Sequence, residues 1–128
     1  MLAPITTDFR SPGRAPSTFS RRFLVRHYEC DDQSHVNNAV YLNWLQQAVF
    51  AACAEVGWTW PRLLDSGVVI VQRRHEIEYF RPALRDDEIE IVSQVVGWRR
   101  VTGTWQQDLY CARRDGQSLD PPLHLARD

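Results

Sequence analysis

The sequence predicts an α+β domain in which one long helix is covered by a curved antiparallel sheet. Three observations carry this. One stretch, Asn38–Val56, places apolar residues at helical spacing. Runs of alternating apolar and polar residues before and after it read as strands. The strands are joined by short turns with no βα alternation, which argues against a parallel doubly wound sheet.

Taking the elements in order, Met1–Ser20 holds Pro4, Pro12 and Pro16 among Ser, Thr and Arg. It sustains no period, so it reads as a flexible leader, with the domain proper at residues 21–128. It lacks the apolar stretch of about 7–15 residues that a secretory signal needs. Arg10 and Arg14 among Ser and Thr leave an organelle presequence as an alternative. Phe23–Cys30 reads as a short strand, and Asp31-Asp32-Gln33-Ser34 as a turn. Asn37 and Asn38 offer N-cap side chains. Val40, Tyr41, Trp44, Leu45, Ala48, Val49, Ala52, Cys53 and Val56 then line one broad helical face, and Gly57 ends the helix. A turn of helix is expected at Arg62–Asp65. Strands are expected at Val68–Phe80, Glu88–Gly97 and Val101–Arg113. Asp115-Gly116 is a hairpin signal. Pro121-Pro122 leave room only for a short last strand at Leu123–Arg127, or for none.

The chain has 128 residues, one domain's length, with 15 basic and 16 acidic residues and a net charge of −1. No global field recruits nucleic acid or an anionic membrane. All the basic residues are Arg. Cys30, Cys53 and Cys111 show no paired spacing, which speaks against a disulfide scaffold and for a reducing, cytoplasmic setting.

The densest polar cluster runs from His27 to Asn38, between a strand and the start of the helix. Unpaired backbone N–H groups and the helix dipole favour negative charge there. A carbonyl held against such an N–H would have its developing oxyanion stabilised. A carboxylate a few residues upstream could attack that carbonyl or deprotonate a water. The same residues also make an ordinary solvated turn. His27, Glu29, Cys30, Asp31 and His35 match no zinc-ligand spacing.

Asp31-Asp32-Gln33-Ser34-His35-Val36-Asn37-Asn38-Ala39-Val40-Tyr41-Leu42 resembles the hotdog-fold acyl-CoA thioesterases of the 4-hydroxybenzoyl-CoA thioesterase class and the related acyl-ACP thioesterases. Arg81-Pro82-Ala83 and Trp98-Arg99-Arg100 extend the resemblance over about residues 22–114. It implies a homodimer or homotetramer with its site at the subunit interface and no metal or organic cofactor. It implies hydrolysis of an acyl-CoA thioester, or of an acyl-carrier-protein thioester. Asp31 would be nucleophile or general base, the Asn38 backbone N–H the oxyanion donor, and His35 and Gln33 would orient water or Asp31. Tyr41 and Trp44 would line the acyl pocket, and Arg99 and Arg100 would meet the phosphates of coenzyme A. An (R)-specific enoyl-CoA hydratase would need Asp and His five positions apart, whereas Asp31 and His35 are four apart. A non-catalytic acyl-binding protein is the remaining alternative. It is motivated by Ser34 where relatives carry Gly, by Gln46 where many carry Glu, and by the proline-broken C-terminus. At Ser34 the loop is expected to be shifted or strained.

Overall fold

A computed structural model describes residues 18–128. Five strands form one antiparallel sheet: β1 (Thr18–Leu24), β2 (Glu78–Tyr79), β3 (Glu88–Arg99), β4 (Thr102–Arg114) and β5 (Gln117–Arg127), in the spatial order β1-β3-β4-β5-β2. Two α-helices join them, α1 (Asn38–Glu55) and α2 (Trp60–Ser66). A single 3₁₀ turn, His27–Glu29, precedes α1. The α+β class is as expected. A single helix was not the whole of it, because the turn expected at Arg62–Asp65 extends to a seven-residue helix opened by Pro61 near its first position and closed by left-handed Gly67.

The periodicities position the core. On α1, residues Tyr41, Trp44, Leu45 and Ala48 fall at spacings of three and four and turn one face to the sheet. There they meet Ile89 and Ile91 of β3, Leu109 and Cys111 of β4 and Leu125 of β5. A second cluster, with Val49, Cys53, Trp58 and Leu63, seals the far end of α1 beneath α2. Gln107 is buried within the sheet face, and its amide NH₂ donates to the Leu45 carbonyl and to Ser93 Oγ, which satisfies both N–H groups.

Three expected strands are redrawn. The first pairs as Thr18–Leu24 rather than Phe23–Cys30, so Thr18–Ser20 of the expected leader belong to the sheet. The rest of that leader lies outside the described residues. Of Val68–Phe80 only Glu78 and Tyr79 pair, with Arg127 and Ala126. Val69 and Val71 stand 71% and 75% exposed. The last strand is neither short nor absent, since β5 spans eleven residues with both prolines inside it. The register shows how. Arg113 pairs Ser118 and Cys111 pairs Leu123, so residues 119–122 bulge out opposite Ala112, where a missing N–H breaks no ladder bond. On its other side β5 is covered only at its C-terminal end, by β2.

Candidate active site

The site begins with the loop between the 3₁₀ turn and α1. The Asp31 Oδ1 atom accepts the backbone N–H groups of Gln33 (2.9 Å) and His35 (3.1 Å), and Ser34 N donates to the Asp31 carbonyl (3.0 Å). This tight turn requires Ser34 in the left-handed region, at φ 62°, as the replacement of Gly predicted. Asn37 caps α1, its side-chain oxygen accepting Ala39 N–H at 3.0 Å. The Asn38 N–H, one position later, has no acceptor among the described residues and opens the helix's positive end.

A second segment, Phe80–Asp87, runs beside this loop. Val36 N donates to the Ala83 carbonyl (2.9 Å) and Arg85 N to the Ser34 carbonyl (3.2 Å), while His35 and Leu84 form a β-bridge. The segment is anchored by Asp87, 1% exposed, which accepts Leu84 N–H at 2.8 Å and a two-pronged contact from Arg114 at 3.0 and 2.8 Å. That hydrogen-bonded pairing raises the Arg114 pKa above its ordinary value. Tyr41 fastens the segment to α1: its buried hydroxyl accepts Ala83 N–H at 2.9 Å, and burial pushes the phenol pKa up, so it stays neutral.

Between the two segments lies an open groove of about 480 Å³. Asp31, His35, Asn38 and Tyr41 line it, facing Tyr79, Phe80 and Arg81. The structure therefore brings together four of the residues expected at the site. The others sit elsewhere. Gln33 contributes its backbone N–H to Asp31, and its exposed side chain does not line the groove. Trp44 is buried behind the groove, with its ring against Phe23 and Tyr41 and its indole N–H on Glu29 (2.7 Å). Arg99 and Arg100 lie at the opposite end of β3 from the groove, about 35 Å along the strand. Asp32 is exposed and not among the lining residues.

Sequence reasoning missed Tyr79 and the Asp87–Arg114 pair, and weighed Glu29 only as a metal ligand. Glu29 was visible as an acidic residue beside the turn. Its burial depends on a 3₁₀ turn that strand alternation does not reveal. Tyr79 donates its hydroxyl to the Asn38 carbonyl (2.9 Å) from 41 residues away, a contact with no local signal. Among the described residues no cluster of His, Cys, Asp or Glu could hold a metal ion, and no helix is long and apolar enough to cross a membrane.

Residues 25–119 match the family model of the thioesterase-like superfamily. The chain belongs to this superfamily. No curated protein matches it. Among solved structures it is similar to the 4-hydroxybenzoyl-CoA thioesterase of Pseudomonas sp. strain CBS-3, with 18% identity, a TM-score of 0.76, and 88% of this chain and 80% of that one covered. It is also similar to YbaW, a probable thioesterase from Escherichia coli, with 26% identity, a TM-score of 0.63, and 85% and 77% covered. A hypothetical protein from Aquifex aeolicus shares 22% identity at a TM-score of 0.70, with 85% and 83% covered. The sheet and α1 thus form the hotdog fold of the 4-hydroxybenzoyl-CoA thioesterase. Within the superfamily's matched region lie the whole Asp31 loop, α1 and the Phe80–Asp87 segment.

Proposed function

We propose that the protein hydrolyses acyl-coenzyme A thioesters to a free acid and a thiol. The observation that carries this reading is the meeting of the Asp31 carboxylate and the α1 N-terminus in one groove. A thioester carbonyl seated on the Asn38 N–H gains an oxyanion donor backed by the helix dipole. Asp31 has one oxygen committed to Gln33 and His35 N–H groups, which leaves Oδ2 for the reaction. It acts on the carbonyl directly or takes a proton from water. On the water route the water oxygen bonds the acyl carbon, the C–S bond breaks, and the proton held by Asp31 passes to the departing sulfur. On the direct route Oδ2 bonds the acyl carbon as the thiolate leaves. A water then cleaves the mixed anhydride, releasing the acid, restoring the Asp31 carboxylate and supplying the thiol proton. His35, also on the groove, orients the water. Burial raises the pKa of all three cysteines, Cys53 and Cys111 to about 11, so none is a competing thiolate nucleophile.

The same reading includes a homodimer. The unpaired stretch 68–77 exposes Val69 and Val71 in alternation, a surface suited to a second copy. Arg99 and Arg100 meet the coenzyme's phosphates only in such an assembly, because within one chain they are far from the groove. Free cysteines suit a cytoplasmic setting. Thiol release from matched acyl-coenzyme A and acyl-carrier-protein substrates tests the proposal. Faster release from the coenzyme A thioester supports it. Release only from the carrier moves the substrate to carrier protein, and no release from either overturns the hydrolytic reading.

A further inference from the structure

Glu29 is 6% exposed, and its charge needs a reason to be buried. Its Oε1 accepts the Arg26 N–H (2.8 Å) and its Oε2 the Trp44 indole N–H (2.7 Å). Among the described residues its one ion-pair partner, the Arg26 guanidinium, is 3.7 Å away and half exposed. Such a pair does little for stability, because a half-wet partner returns little of the cost of desolvating a carboxylate. The bonds instead fix geometry. The Glu29 carbonyl accepts the N–H of Asn37, the N-cap residue, at 3.0 Å. One residue thus ties the 3₁₀ turn, the helix start and the second turn of α1 together. Asp31 lies two residues after it, and Asn38 one residue after its main-chain partner.

We propose that Glu29 is a positioning residue that, through Trp44 and Asn37, holds Asp31 in register with the Asn38 N–H. This rests on the Asp31 loop being the reactive loop, as the hydrolytic reading has it. The carboxylate is needed because two N–H donors converge on it from different elements. An amide in its place offers one oxygen and turns its NH₂ toward one of the donors. Displacing a reacting group by about 1 Å can cost on the order of 10²-fold in rate.

The test compares Glu29→Gln and Trp44→Phe with Val49→Ala, a core truncation remote from the groove, on the full chain. With rates expressed per folded protein, Glu29→Gln and Trp44→Phe should each lower kcat at least about tenfold with KM nearly unchanged. The double variant should fall no further than the worse single, because both break one link. Val49→Ala should lower stability and keep kcat. In hydrogen exchange, the Gln33 and His35 amides that hold Asp31 should open faster in Glu29→Gln, while β3 and β4 amides keep their rates. The proposal is overturned if kcat stays within about twofold of wild type in the two loop variants, or if Val49→Ala lowers it equally. If the wild type releases no thiol, the hydrolytic reading fails separately. Exchange then decides the positional claim alone, and unchanged Gln33 and His35 rates overturn it.

Discussion

Replacing Arg114 with Met strands a carboxylate inside the protein. Asp87 is 1% exposed and has three donors: Leu84 N–H, and the Nε and one terminal nitrogen of Arg114. Met fills much of the same volume but supplies no N–H. Asp87 would keep only the Leu84 bond. Breaking a fully buried pair from one side costs about 3–5 kcal/mol. Here the Arg114 side chain is 25% exposed, so water recovers part of the loss and about 2–4 kcal/mol is expected. The Arg114 bond to the Pro82 carbonyl (3.2 Å) disappears with it, which loosens the groove wall. Urea unfolding followed by circular dichroism should show a lower midpoint with an unchanged slope. Asp87→Asn should cost less, about 1–3 kcal/mol, because the amide oxygen can still accept Leu84 N–H. A loss below about 1 kcal/mol for Arg114→Met, the range of an exposed ion pair, would refute the claim that this pair anchors the segment.

Three further outcomes follow from the geometry. Ser34→Gly should raise Tm by about 2 °C in a thermal melt, because relief of the left-handed strain outweighs the added freedom of the unfolded chain; a drop in Tm would contradict this. At Asp108, burial would raise the carboxyl pKa, but hydrogen bonds from Arg127, His124 and Gln106 outweigh it and hold it below 3.8. That stabilisation is present above the unfolded pKa and is lost as pH falls through the folded one, so Asp108→Asn should flatten the decline of stability below about pH 4, measured by urea midpoints across pH. In native protein at pH 8, Cys53 and Cys111 should resist alkylation because burial holds their thiols at about 11, while the partly exposed Cys30 reacts first, as mass spectrometry of timed digests would show.

Much of the site was legible because its signals are local. Asn37 as cap, the apolar stripe from Tyr41 to Cys53 and the strained position at Ser34 all depend on neighbours within a turn or two, and each stands in the structure as read. The strand expected at Glu88–Gly97 likewise stands as β3, and its alternation buries Ile89, Ile91 and Ser93. What was not legible depends on distant partners. Pro121-Pro122 looked like the end of a sheet because their tolerance comes from a bulge opposite Ala112 and from an edge left open by β2. The valines at 69 and 71 read as a strand by composition, but among the described residues no strand pairs with them. The family resemblance assigned Trp44 to the pocket, whereas its place on the apolar stripe of α1 pointed equally to core packing. Its indole instead turns to Glu29, because a buried N–H must find an acceptor. Arg99 and Arg100 follow the motif, but the twelve-residue length of β3 carries them away from the groove of their own chain.

The measurement that bears most directly on the account is thiol release by Asp31→Asn beside Asp32→Asn, across a panel of acyl-coenzyme A thioesters. The two residues are neighbours and both are exposed, but only Asp31 lines the groove with Asn38. Asp31→Asn should lose about 10²-fold or more in kcat while Asp32→Asn keeps activity near wild type. Full activity in Asp31→Asn with loss in Asp32→Asn would contradict the placement of the reacting carboxylate.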